Sequence, residues 1–178
     1  MRKIILYTAV SLDGLIAGTD GAIDWLLEYP NPNKQDYGYQ RFYEKIDTLL
    51  MGHATYTQIM GFNIPFPYPG KSVYVFSTQK HPDTPHVNFL SGDAAAAIRT
   101  LKNKTGKDIW LVGGGKLNGF VLSNDLIDEM TLHIPAVVLG AGIPLFGGIP
   151  ATRNFRLVAS KSYPNGMLEL HYDRGEQE

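Results

Sequence analysis

Apolar residues recur along this chain in two alternating spacings. Residues 4–10 (IILYTAV) form an unbroken apolar run rich in branched and aromatic side chains, which predicts a strand, and SLDG at 11–14 turns it. At 39–46 the spacing becomes helical, with Phe42, Tyr43 and Ile46 on one side. A short buried run at 48–51 ends at Gly52, and 55–60 predicts a short helix. The stretch 64–70 (IPFPYPG) is a surface loop, because its prolines lack the N–H that a helix interior or central strand needs. SVYVFS at 72–77 predicts a strand, and 87–90 another. Ser91-Gly92-Asp93 offers N-cap chemistry to an alanine-rich helix that ends before Gly106. Then come a strand at 108–112, a helix at 116–122 and a strand at 130–138 bent at Pro135. Residues 155–162 and 167–172 alternate around Pro164-Asn165-Gly166 as an antiparallel hairpin.

Strands interleaved with helices predict an α/β fold with a largely parallel sheet, to which the hairpin adds an antiparallel edge. A length of 178 residues suits one core, so residues 1–178 are expected to be one domain. Sheets of this kind bind ligands beyond the carboxyl ends of their strands. That rule directs attention to 11–14, 52–55, 77–80 and 113–116.

Charge and composition then remove several functions. With 16 basic and 17 acidic residues the net charge is −1, which gives a nucleic acid or an anionic membrane no electrostatic hold. There is no cysteine, hence no disulfide, thiolate nucleophile or cysteine metal site. The histidines at 53, 81, 86, 133 and 171 show no metal-ligand spacing, so no metal is expected. No G-x-S-x-G hydrolase elbow occurs. The first apolar run is broken by Thr8 and Ser11 and reads as a strand, not a signal peptide; no run approaches the ~20 residues of a membrane span, and a cytoplasmic protein is expected.

Within the four places, Gly113-Gly114-Gly115-Lys116 opens a helix. Its backbone could admit a phosphate to free N–H groups, or could simply need room to bend. Leu117 stands where a P-loop needs Ser or Thr, and Asn118 where a Rossmann fingerprint needs glycine. Gly52-His53-Ala54-Thr55 also follows a strand and opens a helix, so it could hold a second phosphate or be a plain cap. Ser77, Thr78, Gln79 and Lys80 suit a ribose phosphate or a turn. Asp13, Asp24 and Glu28 are the candidate acids. Asp13 could hold or protonate a substrate nitrogen, or be an ordinary turn residue. Trp25 and Tyr29 could line an apolar pocket or pack in the core.

Five segments in order, ILYTAVSLDGLIAG, LLMGHATYTQI, VYVFSTQK, IWLVGGGKLNGFVL and LHIPAVVLGAGIPLFGG, together resemble the dihydrofolate reductase superfamily. The nearer branch is that of the C-terminal reductase domain of the bifunctional riboflavin-biosynthesis protein. The resemblance implies a dihydrofolate reductase-like three-layer sandwich, with a mostly parallel sheet of about eight strands. It implies NADPH across the strand ends, with Val112, Gly113, Gly114, Gly115, Lys116 and Leu117 around the pyrophosphate, and Gly52, His53 and Thr55 opposite. Ser77, Thr78, Gln79 and Lys80 would face the adenosine and its 2′-phosphate, and Ala9, Ile16, Ala17 and Gly18 the nicotinamide. Asp13 would be the catalytic proton relay, and Asp13, Trp25 and Glu28 would meet the substrate. A ribosylamino-pyrimidinone 5-phosphate is the substrate implied, with dihydrofolate reduction or a catalytically silent nucleotide-binding module as the other readings, and a homodimer is expected. His53 stands where dihydrofolate reductases usually carry arginine. Glu28 is offset from their pterin-binding acid, and Val112 replaces the Glu frequent in riboflavin-type reductases.

Overall fold

In the computed structural model, which describes residues 1–62, 64–148 and 152–175, the first apolar run is strand β1 (Ile4–Ala9). Its side chains alternate between two cores, Ile4 and Leu6 facing one and Ile5 the other. A turn leads to the short β2 (Leu15–Ala17), then to α1 (Asp24–Leu27) and α2 (Tyr39–Lys45). β3 (Ile46–Gly52) runs directly into α3 (His53–Gly61). After β4 (Ser72–Phe76) and β5 (Val87–Leu90) comes α4 (Ala94–Asn103), capped by Asp93, whose carboxylate accepts from the Ala96 N–H at 2.9 Å. β6 (Asp108–Gly113) runs into α5 (Gly115–Ser123). β7 (Glu129–Ile134), the two-residue β8 (Ile143–Pro144) and the hairpin of β9 (Arg156–Ser162) and β10 (Leu168–Asp173) complete the chain.

The main sheet has eight strands in the order β5-β4-β3-β6-β1-β7-β10-β9, parallel from β5 to β7 and antiparallel across the hairpin. The expected mostly parallel α/β sandwich is therefore present. One face packs Ile4, Leu6, Leu50 and Leu111 against Ile98 of α4 and Val121 of α5. The other packs Ile5, Leu49, Met51, Val73 and Val75 against Phe42 of α2 and Tyr68. Each such aliphatic side chain contributes roughly 1.5–3 kcal/mol on burial.

Several boundaries differ from the sequence expectation, each for a local reason. β7 stops at Ile134, because Pro135 cannot donate to a ladder and the chain leaves the sheet there. Ile46 is fully buried in β3 and does not extend α2, since the apolar face at 39–46 is shared between the two elements. The proline-rich loop is not wholly superficial: Tyr68 is buried and Phe66 packs beside it on the second core. β2, β8 and α1, two to four residues each, are too short to leave a periodic signal.

Candidate functional site

A cleft of about 2200 Å³ crosses the carboxyl ends of β4, β3, β6, β1 and β7. At its middle, α3 and α5 open side by side. Their N-caps are Gly52 and Gly114, both extended, and neither helix has a side-chain cap. The first N–H groups of a helix have no intrahelical acceptor, and here Gly52, His53, Ala54 and Thr55 together with Gly114, Gly115, Lys116 and Leu117 line the cleft. Val112 lines it too.

The three consecutive glycines have three separate reasons. Gly113 adopts φ +105°, with the Asn118 amide against its Cα, and lies outside the cleft lining. A Cβ on Gly115 would collide with the Pro144 carbonyl oxygen. Gly114 has an ordinary φ of −74°, and a Cβ there would stand 3.2 Å from the Thr55 hydroxyl oxygen, narrowing the gap between the two helix ends. Room to bend thus accounts for Gly113 and close packing against β8 for Gly115, while Gly114 keeps the cleft open. Asn118 is also explained: its Nδ2 donates to the Leu145 carbonyl at 3.0 Å and ties the following loop to α5.

Ser77, Thr78 and Gln79 line the end of the cleft beyond β4. The Ser77 hydroxyl accepts from the Gln79 N–H at 3.1 Å and pairs with His81 Nε2 at 3.1 Å. His81 stacks on His53 with ring centroids 4.4 Å apart, so two histidines far apart in sequence meet at this end. Lys80 does not reach the cleft; it borders a separate hollow with Asp83 and Phe89.

At the opposite end Ala9, Ile16 and Ala17 line the cleft, whereas Gly18 is taken up in a turn, its N–H donating to the Ala22 carbonyl at 2.9 Å. The three residues expected to meet substrate are placed elsewhere. Asp13 lies outside the cleft lining, where it accepts from the Ser11 hydroxyl (2.6 Å) and the N–H groups of Leu139 (3.1 Å) and Gly140 (2.7 Å). The Ser11 hydroxyl first, and the Leu139 N–H after it, lower its carboxyl to about 2. An exposed carboxylate held this way joins the β1–β2 turn to the loop after β7. Trp25 is half-buried outside the lining, with its Nε1 unpartnered among the described residues. Glu28 is exposed, also outside.

What lines that end is aromatic: Tyr7, Tyr37, Tyr39 and Trp110, with His133. The Tyr37 carbonyl accepts from the Tyr7 hydroxyl at 3.2 Å and pairs with His133 Nε2 at 3.1 Å. Behind His133 the antiparallel register sets Glu169 opposite it, with Oε2 3.8 Å from Nε2. Burial would raise the Glu169 carboxyl, but the Tyr163 hydroxyl and His171, at 2.5 Å, hold it below its ordinary value. Burial pushes His133 down, against the pull of Glu169. Sequence reasoning missed this group because Tyr7 and Trp110 inside strands and Tyr39 inside a helix read as core, Tyr37 lies in a turn with no pattern, and the His133–Glu169 pairing exists only once β7 and β10 are in register. Among the described residues no three metal-ligating side chains converge, and no helix is long and apolar enough to cross a membrane.

Residues 68–168 match the family described as the RibD C-terminal domain. Two Bacillus subtilis (strain 168) proteins named as uncharacterized are similar throughout. YwjB is 41% identical over 175 residues (97% of this chain, 98% of its own), and YyaP is 33% identical over 183 residues (96% and 94%). A solved structure from Shewanella sp. PV-4, under a provisional riboflavin-biosynthesis name, has 32% identity, a TM-score of 0.88 and coverage of 98% of this chain and 100% of that one. Two further structures share the fold alone. The Thermotoga maritima diaminohydroxyphosphoribosylaminopyrimidine deaminase/5-amino-6-(5-phosphoribosylamino)uracil reductase has 17% identity, TM-score 0.73 and coverage of 97% and 56%. The Enterococcus faecalis dihydrofolate reductase complexed with NADP(H) and RAB-propyl has 18% identity, TM-score 0.72 and coverage of 98% and 97%.

Proposed function

The chain belongs to the RibD C-terminal domain family, and from that premise we propose that it is an NADPH-dependent reductase of a C=N or C=O carbon in a small pyrimidine- or pterin-like substrate. The observation that carries the reading is the pair of helix N-termini, α3 and α5, that open on one cleft without capping side chains. Two such ends, with Lys116 beside them, fit a pyrophosphate, because free N–H groups and the helix dipole both favour an anion. Ser77, Thr78 and Gln79, flanked by His53 and His81, would hold the adenosine end, and Ala9, Ile16 and Ala17 would border the nicotinamide.

The cofactor, when bound, supplies the hydride. The chain's own residues bind and orient. The Thr55 hydroxyl and the glycine backbone set the depth of the pyrophosphate, and the aromatic end offers flat surfaces to a flat substrate. Asp13 lies outside the cleft lining with its carboxylate engaged by Ser11, Leu139 and Gly140, so the proton for the substrate heteroatom is assigned to water. Dihydrofolate reduction proper draws less support, since Glu28, the offset counterpart of the pterin-binding acid, is exposed outside the cleft.

Calorimetric titration with NADPH, NADH and NADP+ tests the reading, followed by a substrate screen monitored through NADPH absorbance. Binding of all or any of these with turnover of a heterocycle supports it. Failure of every nicotinamide nucleotide to bind would sink it, and binding without turnover across pterins, pyrimidines and carbonyl compounds would favour a silent nucleotide-binding module.

A further inference from the structure

Charge is unevenly spread along the cleft. Among its described lining residues Lys116 is the one lysine, and there is no arginine. That lysine stands at the start of α5, where the pyrophosphate is proposed to sit. The aromatic end carries Tyr7, Tyr37, Tyr39, Trp110 and His133, and its fixed charges are negative: Asp36 in the lining and Glu169 behind His133. The nearby cations face elsewhere. Arg41, whose charge acts on Asp36, and Lys161, whose Nζ lies 4.3 Å from the Tyr163 ring centroid, are outside the lining.

The rings are held in place. Trp110 Nε1 donates to the Tyr7 carbonyl at 3.0 Å, and its ring stands edge-on to Tyr7 (6.2 Å) and Tyr39 (5.9 Å). The Tyr7 ring lies 4.9 Å from His133. The Tyr7 phenol also reports the local potential: burial pushes it above its ordinary value, and Glu169 and then Asp36 push it further. His133 does not stand in for a missing cation, since burial disfavours its charged form.

From this lining we infer that the aromatic end of the cleft takes an unphosphorylated planar heteroaromatic ring, neutral or cationic, and discriminates against the same ring bearing a sugar phosphate or other phosphate ester. The inference rests on the reductase reading for the chemistry done on that ring, and it departs from the ribosylamino-pyrimidinone 5-phosphate implied by the family resemblance. A phosphate at this end would meet the Asp36 carboxylate in the lining, with Glu169 behind His133 and no lysine or arginine beside it among the described lining residues, an arrangement that selects against a partner of like charge.

The test is a matched pair of probes, 2,4-diamino-6-hydroxymethylpteridine and its phosphate monoester, titrated calorimetrically into the protein with and without saturating NADP+. The free ring is expected to bind about tenfold or more tighter than the ester. In Asp36→Asn, which keeps an acceptor for the N–H groups of Gly38 and Gln40 that Asp36 caps, the gap between the probes is expected to narrow about threefold. Ester affinity equal to or above that of the free ring overturns the inference, as does failure of both probes to bind. Absence of NADP+ binding overturns the reductase reading instead, while the titration without NADP+ still decides the ring specificity.

Discussion

Three donors converge on the Asp13 carboxylate: the Ser11 hydroxyl and the amides of Leu139 and Gly140. Each favours the ionised form, so the carboxyl is lowered to about 2, well below the ordinary aspartate range. Its contribution to loop pairing is therefore complete above about pH 4 and lost as pH falls toward 2. The Leu139 and Gly140 amide resonances should move with a midpoint near 2, and a midpoint at the ordinary aspartate value would contradict the geometry. The same bonds define a mutational outcome. Asp13→Asn should leave kcat within about tenfold once a substrate is in hand, whereas removal of a true proton donor costs about 10²–10⁴. A loss in that larger range would restore Asp13 to the reaction.

Two helix starts, α3 and α5, open on the cleft and are the proposed anion site, and glycine decides how near a ligand could approach them. Gly114→Ala introduces a methyl 3.2 Å from the Thr55 hydroxyl oxygen at a backbone angle any residue adopts. The apo protein should keep its melting temperature and lose about tenfold or more in NADPH affinity by calorimetry, because the methyl occupies space an anion needs. Gly119→Ala separates packing from binding. Gly119 is buried in α5 outside the cleft, and a Cβ there would meet the Gly147 carbonyl. Denaturant unfolding should show a loss of about 1–3 kcal/mol or more, the usual cost of overpacking. A stable Gly119→Ala protein would mean that the 143–147 loop is not held where it is described.

Across the whole sheet, the strand order leaves β9 as an edge, exposed along its full length, with Leu157 51% and Val158 59% accessible. An exposed edge of this kind offers unpaired N–H and C=O groups together with apolar side chains. The homodimer expected from the family resemblance is accordingly proposed to form across β9. Sedimentation should show a dimer at micromolar concentration that Val158→Lys converts to a monomer with an intact fold. A monomeric native protein would end that proposal.

The local pattern of residues determined the type and order of nearly every long element. Residues 4–10, 72–77 and 108–112 could only be strands by length and branching, and Asp93 announced the alanine-rich helix it caps. The glycine-led helix starts were legible for the same reason, since backbone freedom and helix capping are short-range effects. The aromatic end of the cleft was not. Tyr7, Trp110 and His133 come from β1, β6 and β7, and Glu169 from β10, so their meeting depends on strand order and register, which no local pattern encodes. Asp13 marks the boundary between the two. Its turn could be read from four consecutive residues, but its partners lie 126 and 127 positions away, and they settled whether its carboxylate faced a ligand or a loop.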